Sequence, residues 1–142
     1  VNVQPILDLL EKDYIPVIST VGSDLDGNTY NINADTAAAY IAGALQAERL
    51  ITMTDILGVM MDPKDPESVI PVIDLKDAQN LFDSGIITGG MIPKVQCCID
   101  AIHFGVHKVT VLDGRVPHAV LMELLTDEGA GTMVVEDKFS MN

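Results

Sequence analysis

Positive charge is scarce in this chain. Eight Lys and Arg stand against 21 Asp and Glu in 142 residues, a formal net charge of −13 with histidine neutral. Sequence-independent binding to nucleic acid or to an anionic lipid surface needs clustered cations, so neither is expected, and any anionic ligand must be met by a local positive site. Long apolar runs are missing too. No stretch approaches the ~20 residues that span a bilayer. No basic segment followed by an apolar one opens the chain, so no signal peptide is visible. Cysteine is limited to the adjacent pair Cys97 and Cys98, which is not the spacing of a disulfide framework; the expectation is a reducing, cytoplasmic setting. Neither a Walker loop nor a GxGxxG pattern occurs, and no Ser/His/Asp order stands out.

What is present is apolar mass and alternating pattern. Hydrophobic residues make up 48% of the chain and charged residues 20%, which places it outside the disordered and fibrous classes. At this length a folded domain buries roughly 70% of the surface its unfolded form exposes, enough for one real core. The chain opens at Val1 almost directly in a helical pattern, which suits a segment of something longer.

Residues 3–13 read as an amphipathic helix with Pro5 in its first turn, followed by a short buried strand over 15–20. The Asp26-Gly27 pair predicts a turn at the tip of a hairpin that returns through Thr29 and Tyr30. The small-residue segment 34–46 predicts a helix capped by Asn33. The stretch 50–56 is mostly β-branched and apolar, the mark of a strand covered on both faces in a parallel sheet. Two short strands joined by a polar, Pro-containing loop are expected over 59–74. Then come a helix at 75–84, a glycine-containing turn, a helix at 92–104, a buried strand at 109–114, a helix at 117–125 and a last strand at 132–135. Strands alternating with helices call for an α/β fold, a mainly parallel sheet flanked by helices, in a single domain.

In such folds ligands sit beyond the carboxyl ends of the strands, where loops meet helix N-termini. Three stretches fall there: 31–35, 54–58 and 88–94. Lys94 stands in the first turn of a helix preceded by Gly89 and Gly90, where the helix dipole disfavours a cation by a few tenths of a kcal/mol. A phosphate held by the glycine amides and this ammonium would compensate; the alternative is a lysine extended into solvent. Asp35 is a favourable helix-start residue in its own right, or the group that holds Lys94 in place. Of Asn31 and Asn33 one caps the helix, and the other is free to donate to a ligand or serves the turn. Asp55 follows a buried strand, a place for a ribose hydroxyl, a metal or a simple cap. The segment 24–35 mimics a calcium loop, but Thr29 stands where such a loop needs glycine and its twelfth residue is Asp35, so it is read as a decoy. His103 and His107 are separated by the helix-ending Gly105 and are expected at the surface. Cys97 and Cys98 read as small hydrophobes.

Taken together, NINAD at 31–35, TDILGV at 54–59, GGMIPK at 89–94, DGRVPH at 113–118 and TDEGAGT at 126–132 resemble the amino-acid kinase family. The likeness is to the carboxy-terminal half of its acetylglutamate-phosphorylating branch, and it covers essentially the whole chain in order. It implies ATP-dependent phosphorylation of the side-chain carboxylate of N-acetyl-L-glutamate, a step of arginine biosynthesis. By the same resemblance Lys94 stabilises charge on the transferred phosphoryl group, Asp35 orients the catalytic lysines and Asn31 binds substrate. Asp55, Ile56, Leu57, Gly58, Val59 and Met60, with Ile86, Ile87 and Thr88, contact ATP, whose phosphates carry Mg2+. Glu123 and Gly129 match a regulatory arginine site, although Thr110 stands where that site often has histidine. A homo-oligomer is implied for the full-length enzyme; no feature decides whether a PII signalling protein binds. The amino-terminal half, which supplies a glycine-rich phosphate loop and a second lysine, is absent from these 142 residues, so the chain alone is expected to bind nucleotide weakly and not to turn over. The competing expectations are another member of the family, acting for example on glutamate, aspartate or carbamate, and a non-catalytic nucleotide- or arginine-binding module.

Overall fold

The alternation of β-branched stretches with helical ones builds a layered α/β structure, seen in a computed structural model that describes residues 1–127 and 129–138. The elements in chain order are α1 (Gln4–Leu10), β1 (Val21–Ser23), β2 (Thr29–Asn31), α2 (Ala34–Leu45), β3 (Arg49–Thr54), β4 (Val72–Asp74), α3 (Leu75–Asp83), α4 (Met91–His103), β5 (Lys108–Asp113), α5 (Ala119–Leu125) and β6 (Gly131–Val135). The main sheet has the order β3-β5-β6-β4. Its β3–β5 and β4–β6 pairings are parallel and β5–β6 is antiparallel, so the mainly parallel, helix-flanked sheet expected from the sequence is present with one antiparallel seam. β1 and β2 form a separate hairpin.

Side-chain alternation along β5 sorts the layers. Val109 and Val111, with Val134 of β6, meet Ala39 and Ala42 of α2 and Cys98 and Ala101 of α4 in one buried cluster. A second cluster joins Ile73 of β4, Ala78 of α3, Val95 of α4, Val59 and Ile87. From the opposite side of β5, the hydroxyl of Thr110 donates to Glu123 of α5 at 2.9 Å. Three helices therefore cover one face of the sheet and α5 the other.

Both long helices stop by the same device. The Val106 amide donates to the Ala101 carbonyl and Gly105 to Ile102 at the end of α4, with Gly105 at φ +99°, the left-handed conformation glycine adopts freely. At the end of α2, Ala47 donates to Ala42 and Gln46 to Gly43, with Gln46 at φ +51°. The Gln46 side-chain amide then donates to the Gly43 and Phe104 carbonyls, which ties the two helix ends together. Each helix feeds directly into its strand, α2 into β3 and α4 into β5, so both run against their strands. Their N-termini reach the sheet edge where β3 and β5 end.

Four expectations are corrected. Residues 15–20 form no buried strand: Ile15 and Val17 are 89% and 94% exposed, because no neighbouring strand among the described residues offers them a ladder. The strand expected over 50–56 ends at Thr54 and is an edge strand paired only with β5; it is half-buried, and Met53 is exposed. Of the two strands expected over 59–74, one is reduced to a single bridge between Met60 and Val69. The helix expected over 3–13 covers only Gln4–Leu10 and buries no residue. The Asp26-Gly27 hairpin, the Asn33 cap and the strand in the 109–114 stretch stand as expected.

The hairpin tip also explains the calcium-loop mimicry. Asp24 accepts hydrogen bonds from the amides of Asp26 and Asn28, from the Asn28 side chain and from the Tyr30 hydroxyl. The Asn28 and Tyr30 side chains first, then the amides, pull its carboxyl down from 3.8 to about 2. A carboxylate with a depressed folded-state pKa stabilises above its unfolded value and loses that contribution as pH falls through the folded one. The tip is therefore expected to stay closed at pH 4 and open on acidification toward pH 2, seen as a titration of the Asn28 amide proton by NMR. A midpoint near 4 would refute this, and Asp24→Asn is expected to remove the transition.

Candidate functional site

The edge where β3 and β5 end gathers the candidate residues. Two helices begin there. Asn33 caps α2 by accepting from the Thr36 amide at 3.0 Å, and Asp35 lies in the first turn. α4 starts after Gly90 with no side-chain cap, and Pro93 in its first turn brings no N–H. A Cβ built on Gly89 or Gly90 meets nothing within 4 Å, so the backbone there is open to close approach by a ligand.

Between the two helix starts lies a cavity of about 480 Å³ lined by Asn33, Asp35, Thr36, Gly90, Pro93, Lys94 and Cys97. Lys94 Nζ stands 3.4 Å from Asp35 Oδ2, with both side chains about one-third exposed at 32%. The sequence separation of 59 residues makes this a tertiary contact; α2 and α4 must pack side by side for it to exist. An ion pair this exposed contributes at most about 1 kcal/mol to folding. Its chemical content is larger. Two positive helix ends and an ammonium face one cavity against a single carboxylate, which leaves a net attraction for an anion.

Two lining residues were not anticipated. Thr36 Oγ1 lies 3.8 Å from Cys97 Sγ and 3.3 Å from Asn33 Oδ1. The signal for Cys97 was its spacing, one turn after Lys94 on α4, and for Thr36 one turn after the cap. Cys98 points the other way into the core, where burial first and then Cys97 push its thiol up to about 12, so it is an inert apolar filler as expected.

The remaining candidates do not line this cavity. Asn31 is exposed on β2, its backbone paired with Val21. The stretch from Asp55 to Met60 follows β3: Asp55 is exposed, while Gly58 and Val59 are buried. The Val59 amide donates to Thr132 Oγ1 at 2.8 Å, and that hydroxyl donates to the Ile70 carbonyl. Ile86 is half-buried and Thr88 exposed, but the Ile87 side chain belongs to the core. Beside Asp55, the Gly114 amide donates to the Thr54 carbonyl at 2.8 Å. Asp113 there grips Arg115 through both carboxylate oxygens. That guanidinium holds the buried carboxyl below its usual range and is itself raised by it. His103 and His107 are exposed.

Glu123 is only 5% exposed, and both its carboxylate oxygens are engaged, by the Thr110 hydroxyl and by the Ala130 amide at 3.0 Å. Gly129 precedes that amide at φ +69°. Glu123→Ala leaves a buried hydroxyl and an amide without an acceptor, so a loss of about 2–3 kcal/mol is expected in denaturant unfolding, against less than about 1 for Glu123→Gln. Equal losses would refute the hydrogen-bonded role.

The sequence matches the Amino acid kinase family over residues 1–113. The chain belongs to the amino acid kinase family. An acetylglutamate kinase from Synechococcus elongatus is 53% identical over 135 residues, covering 95% of this chain and 45% of that protein. The acetylglutamate kinase from Desulforamulus reducens is 50% identical over 137 residues, covering 96% of this chain and 48% of its own length. The chain spans about half the length of these relatives. Among solved structures, an N-acetylglutamate synthase from Neisseria gonorrhoeae complexed with coenzyme A and L-arginine superposes with a TM-score of 0.88 at 26% identity, over 96% of this chain and 31% of that one. For this member of the amino acid kinase family, no described helix is long and apolar enough to cross a membrane.

Proposed function

We propose that this chain is the nucleotide-handling half of an acetylglutamate kinase, which moves the γ-phosphoryl group of ATP onto the side-chain carboxylate of N-acetyl-L-glutamate. A new bond forms between a carboxylate oxygen and phosphorus, the bond from the β,γ-bridging oxygen to phosphorus breaks, and ADP leaves with that electron pair. Such a transfer asks the protein mainly for positioning and for neutralisation of charge on the transferred group. The observation that carries the reading is the Lys94–Asp35 pair, 3.4 Å apart across a cavity between two helix starts.

In this reading Lys94 meets the charge that spreads over the phosphoryl oxygens, and Asp35 holds the ammonium toward the cavity. Asn31 contacts the amino-acid substrate. The loops 55–60 and 86–88 hold the nucleotide through exposed groups such as Asp55 and Thr88 and through backbone at Gly58, since Ile87 is committed to the core. Mg2+ is assigned, by the family resemblance, to the nucleotide phosphates, where it would share the neutralising work. A regulatory arginine site that includes Glu123 and Gly129 belongs to the same proposal; a structurally similar N-acetylglutamate synthase from Neisseria gonorrhoeae is complexed with L-arginine.

Turnover is expected only when the missing half is supplied. The 142 residues alone should show none in an assay that traps the acyl phosphate with hydroxylamine. Joined to the remainder of the Synechococcus elongatus enzyme, the chain should phosphorylate N-acetylglutamate and not glutamate, aspartate or carbamate. Robust turnover by the isolated chain, or a preference for another acceptor, would overturn the assignment.

A further inference from the structure

We infer that Arg115 is a nucleotide-binding residue, a guanidinium fixed by the buried Asp113 carboxylate and set to hold the phosphates of ATP that stand behind the transferred one. The inference rests on the proposed function and adds to it a second cation at the edge where β3 and β5 end.

The pair is built unlike an ordinary surface ion pair. Asp113 closes β5 with a side chain only 5% exposed, while that of Arg115, two residues on, is 67% exposed. The guanidinium Nε and Nη2 donate to the two carboxylate oxygens at 2.9 and 2.8 Å, and the Arg115 amide donates to the same carboxylate at 2.9 Å. No described residue accepts from Nη1, so that side of the fork faces solvent. Closing the turn does not require this arrangement. The Arg115 amide needs one acceptor, which a neutral asparagine would supply, and the Val116 amide already donates to the Asp113 carbonyl, as Gly114 does to Thr54. Burying a carboxylate is costly unless it is paired. What results here is a planar cation held in one orientation at the surface, the geometry that takes phosphate oxygens two at a time.

Placement points to the nucleotide. Along β5, Val109 and Val111 face α2 and α4 while Thr110 faces α5, so the alternation brings Asp113 out on the face where α2 and α4 begin. Asp55, just past β3, is close enough that its charge adds to the effect of Asp113 in raising the proton affinity of the guanidinium, and Asp55 opens the loop assigned to the nucleotide. Cations are scarce at this edge. Arg49 and Lys108 open β3 and β5 at the far edge. Lys76 and Lys138 follow β4 and β6, which also end there because the β5–β6 seam is antiparallel. Lys94 and Arg115 stand at the near edge, where a polyphosphate approaching a chain of net charge −13 needs fixed positive charge. Arg115 lies outside the Lys94 cavity, so the two serve different phosphates. Lys94 meets the group in transit, and Arg115 the part of the polyphosphate nearer the sugar, whose hydroxyl suits Asp55.

The test uses the chain joined to the remainder of the Synechococcus elongatus enzyme and compares Arg115→Gln with the parent. The KM for ATP is expected to rise about tenfold or more, the strength of one or two charged hydrogen bonds, with kcat and the KM for N-acetylglutamate changed less than about threefold. Displacement of a fluorescent ADP analogue supplies the decisive contrast: ADP should bind about tenfold more weakly to the variant, and adenosine, which has no phosphate, equally well to both. Arg115→Lys keeps a charge opposite Asp113 and so protects the turn; it should show the same contrast to a smaller degree. Unchanged ADP affinity in both variants, or adenosine weakened by the same factor as ADP, would overturn the inference, the second by exposing a structural role or a contact with the nucleoside. A joined protein that binds ADP through Arg115 and yet phosphorylates no N-acetylglutamate would keep the phosphate contact and refute the kinase reading instead.

Discussion

Replacing Lys94 by alanine in the reassembled enzyme is expected to lower kcat by about 10³-fold while leaving the fold as stable as before or slightly more so. The two halves of that expectation come from the same residue and point in opposite directions. A cation aimed at a transferring phosphoryl group is worth roughly 10² to 10⁵ in rate. As a structural group Lys94 does little. Its pair with Asp35 is about one-third exposed, worth at most about 1 kcal/mol, and its place in the first turn of α4 costs a few tenths against the helix dipole. Lys94→Arg keeps the charge but spreads it over a planar fork, so partial activity is expected. Asp35→Asn should lower kcat about 10- to 100-fold with a smaller change in the KM for ATP, because it acts by aiming the ammonium. Unfolding by urea and steady-state kinetics on the same samples settle the matter: a Lys94→Ala enzyme that loses more than about 2 kcal/mol of stability, or that keeps more than a tenth of its turnover, would sink the assignment.

That divergence is also why the site was legible before the fold was seen. A lysine where a helix begins is locally unfavourable, and a local cost without local compensation points to a distant partner or a ligand. Asp35, 59 positions away, is the partner, and no periodicity rule could have given that distance; only the side-by-side packing of α2 and α4 does. Cys97 and Thr36 escaped notice for the same reason, since each is an ordinary helical residue until the neighbouring helix arrives. Regular elements were read well where the pattern served the core of this chain. β5 is buried along five of its six residues and the 109–114 stretch gave it away, as the Asn33 cap gave away α2. The reading failed where apolarity serves something else. Residues 15–20 and 50–56 are as hydrophobic as core strands, yet the first is uncovered and the second is an edge. Sequence pattern reports that a residue is apolar and is silent about whether another element of the described fold lies against it, which is why the same run reads alike in β5 and in the uncovered stretch 15–20.

Gly131→Ala is expected to be the most destabilising single methyl in the chain. Gly131 opens β6, opposite Leu112 in the antiparallel register with β5. A Cβ there would lie 2.1 Å from the Val111 carbonyl oxygen and 3.0 Å from Leu112 Cα. Both are backbone atoms of the most buried strand, so no side chain can swing aside. The strands must part instead, which breaks the central seam of the sheet. The damage would travel along β6 to Thr132, whose hydroxyl joins the Val59 amide to the Ile70 carbonyl, and so loosen the 58–59 loop proposed for the nucleotide. A loss of roughly 3–5 kcal/mol is expected, a large part of the 5–15 kcal/mol that ordinary domains possess. Gly43→Ala gives the comparison. Its Cβ would meet Phe104 Cβ at 2.3 Å, where the Gln46 side chain ties the two helix ends together, but the clash is with one side chain at the helix ends and not with the backbone of a paired strand, so a smaller loss of about 1–3 kcal/mol is expected. Urea midpoints rank the two, and hydrogen exchange at Val59 and Ile70 reports the loop. If Gly131→Ala proved the milder substitution, or unfolded with Val59 still protected, the β5–β6 seam would not be what holds the nucleotide loop in place.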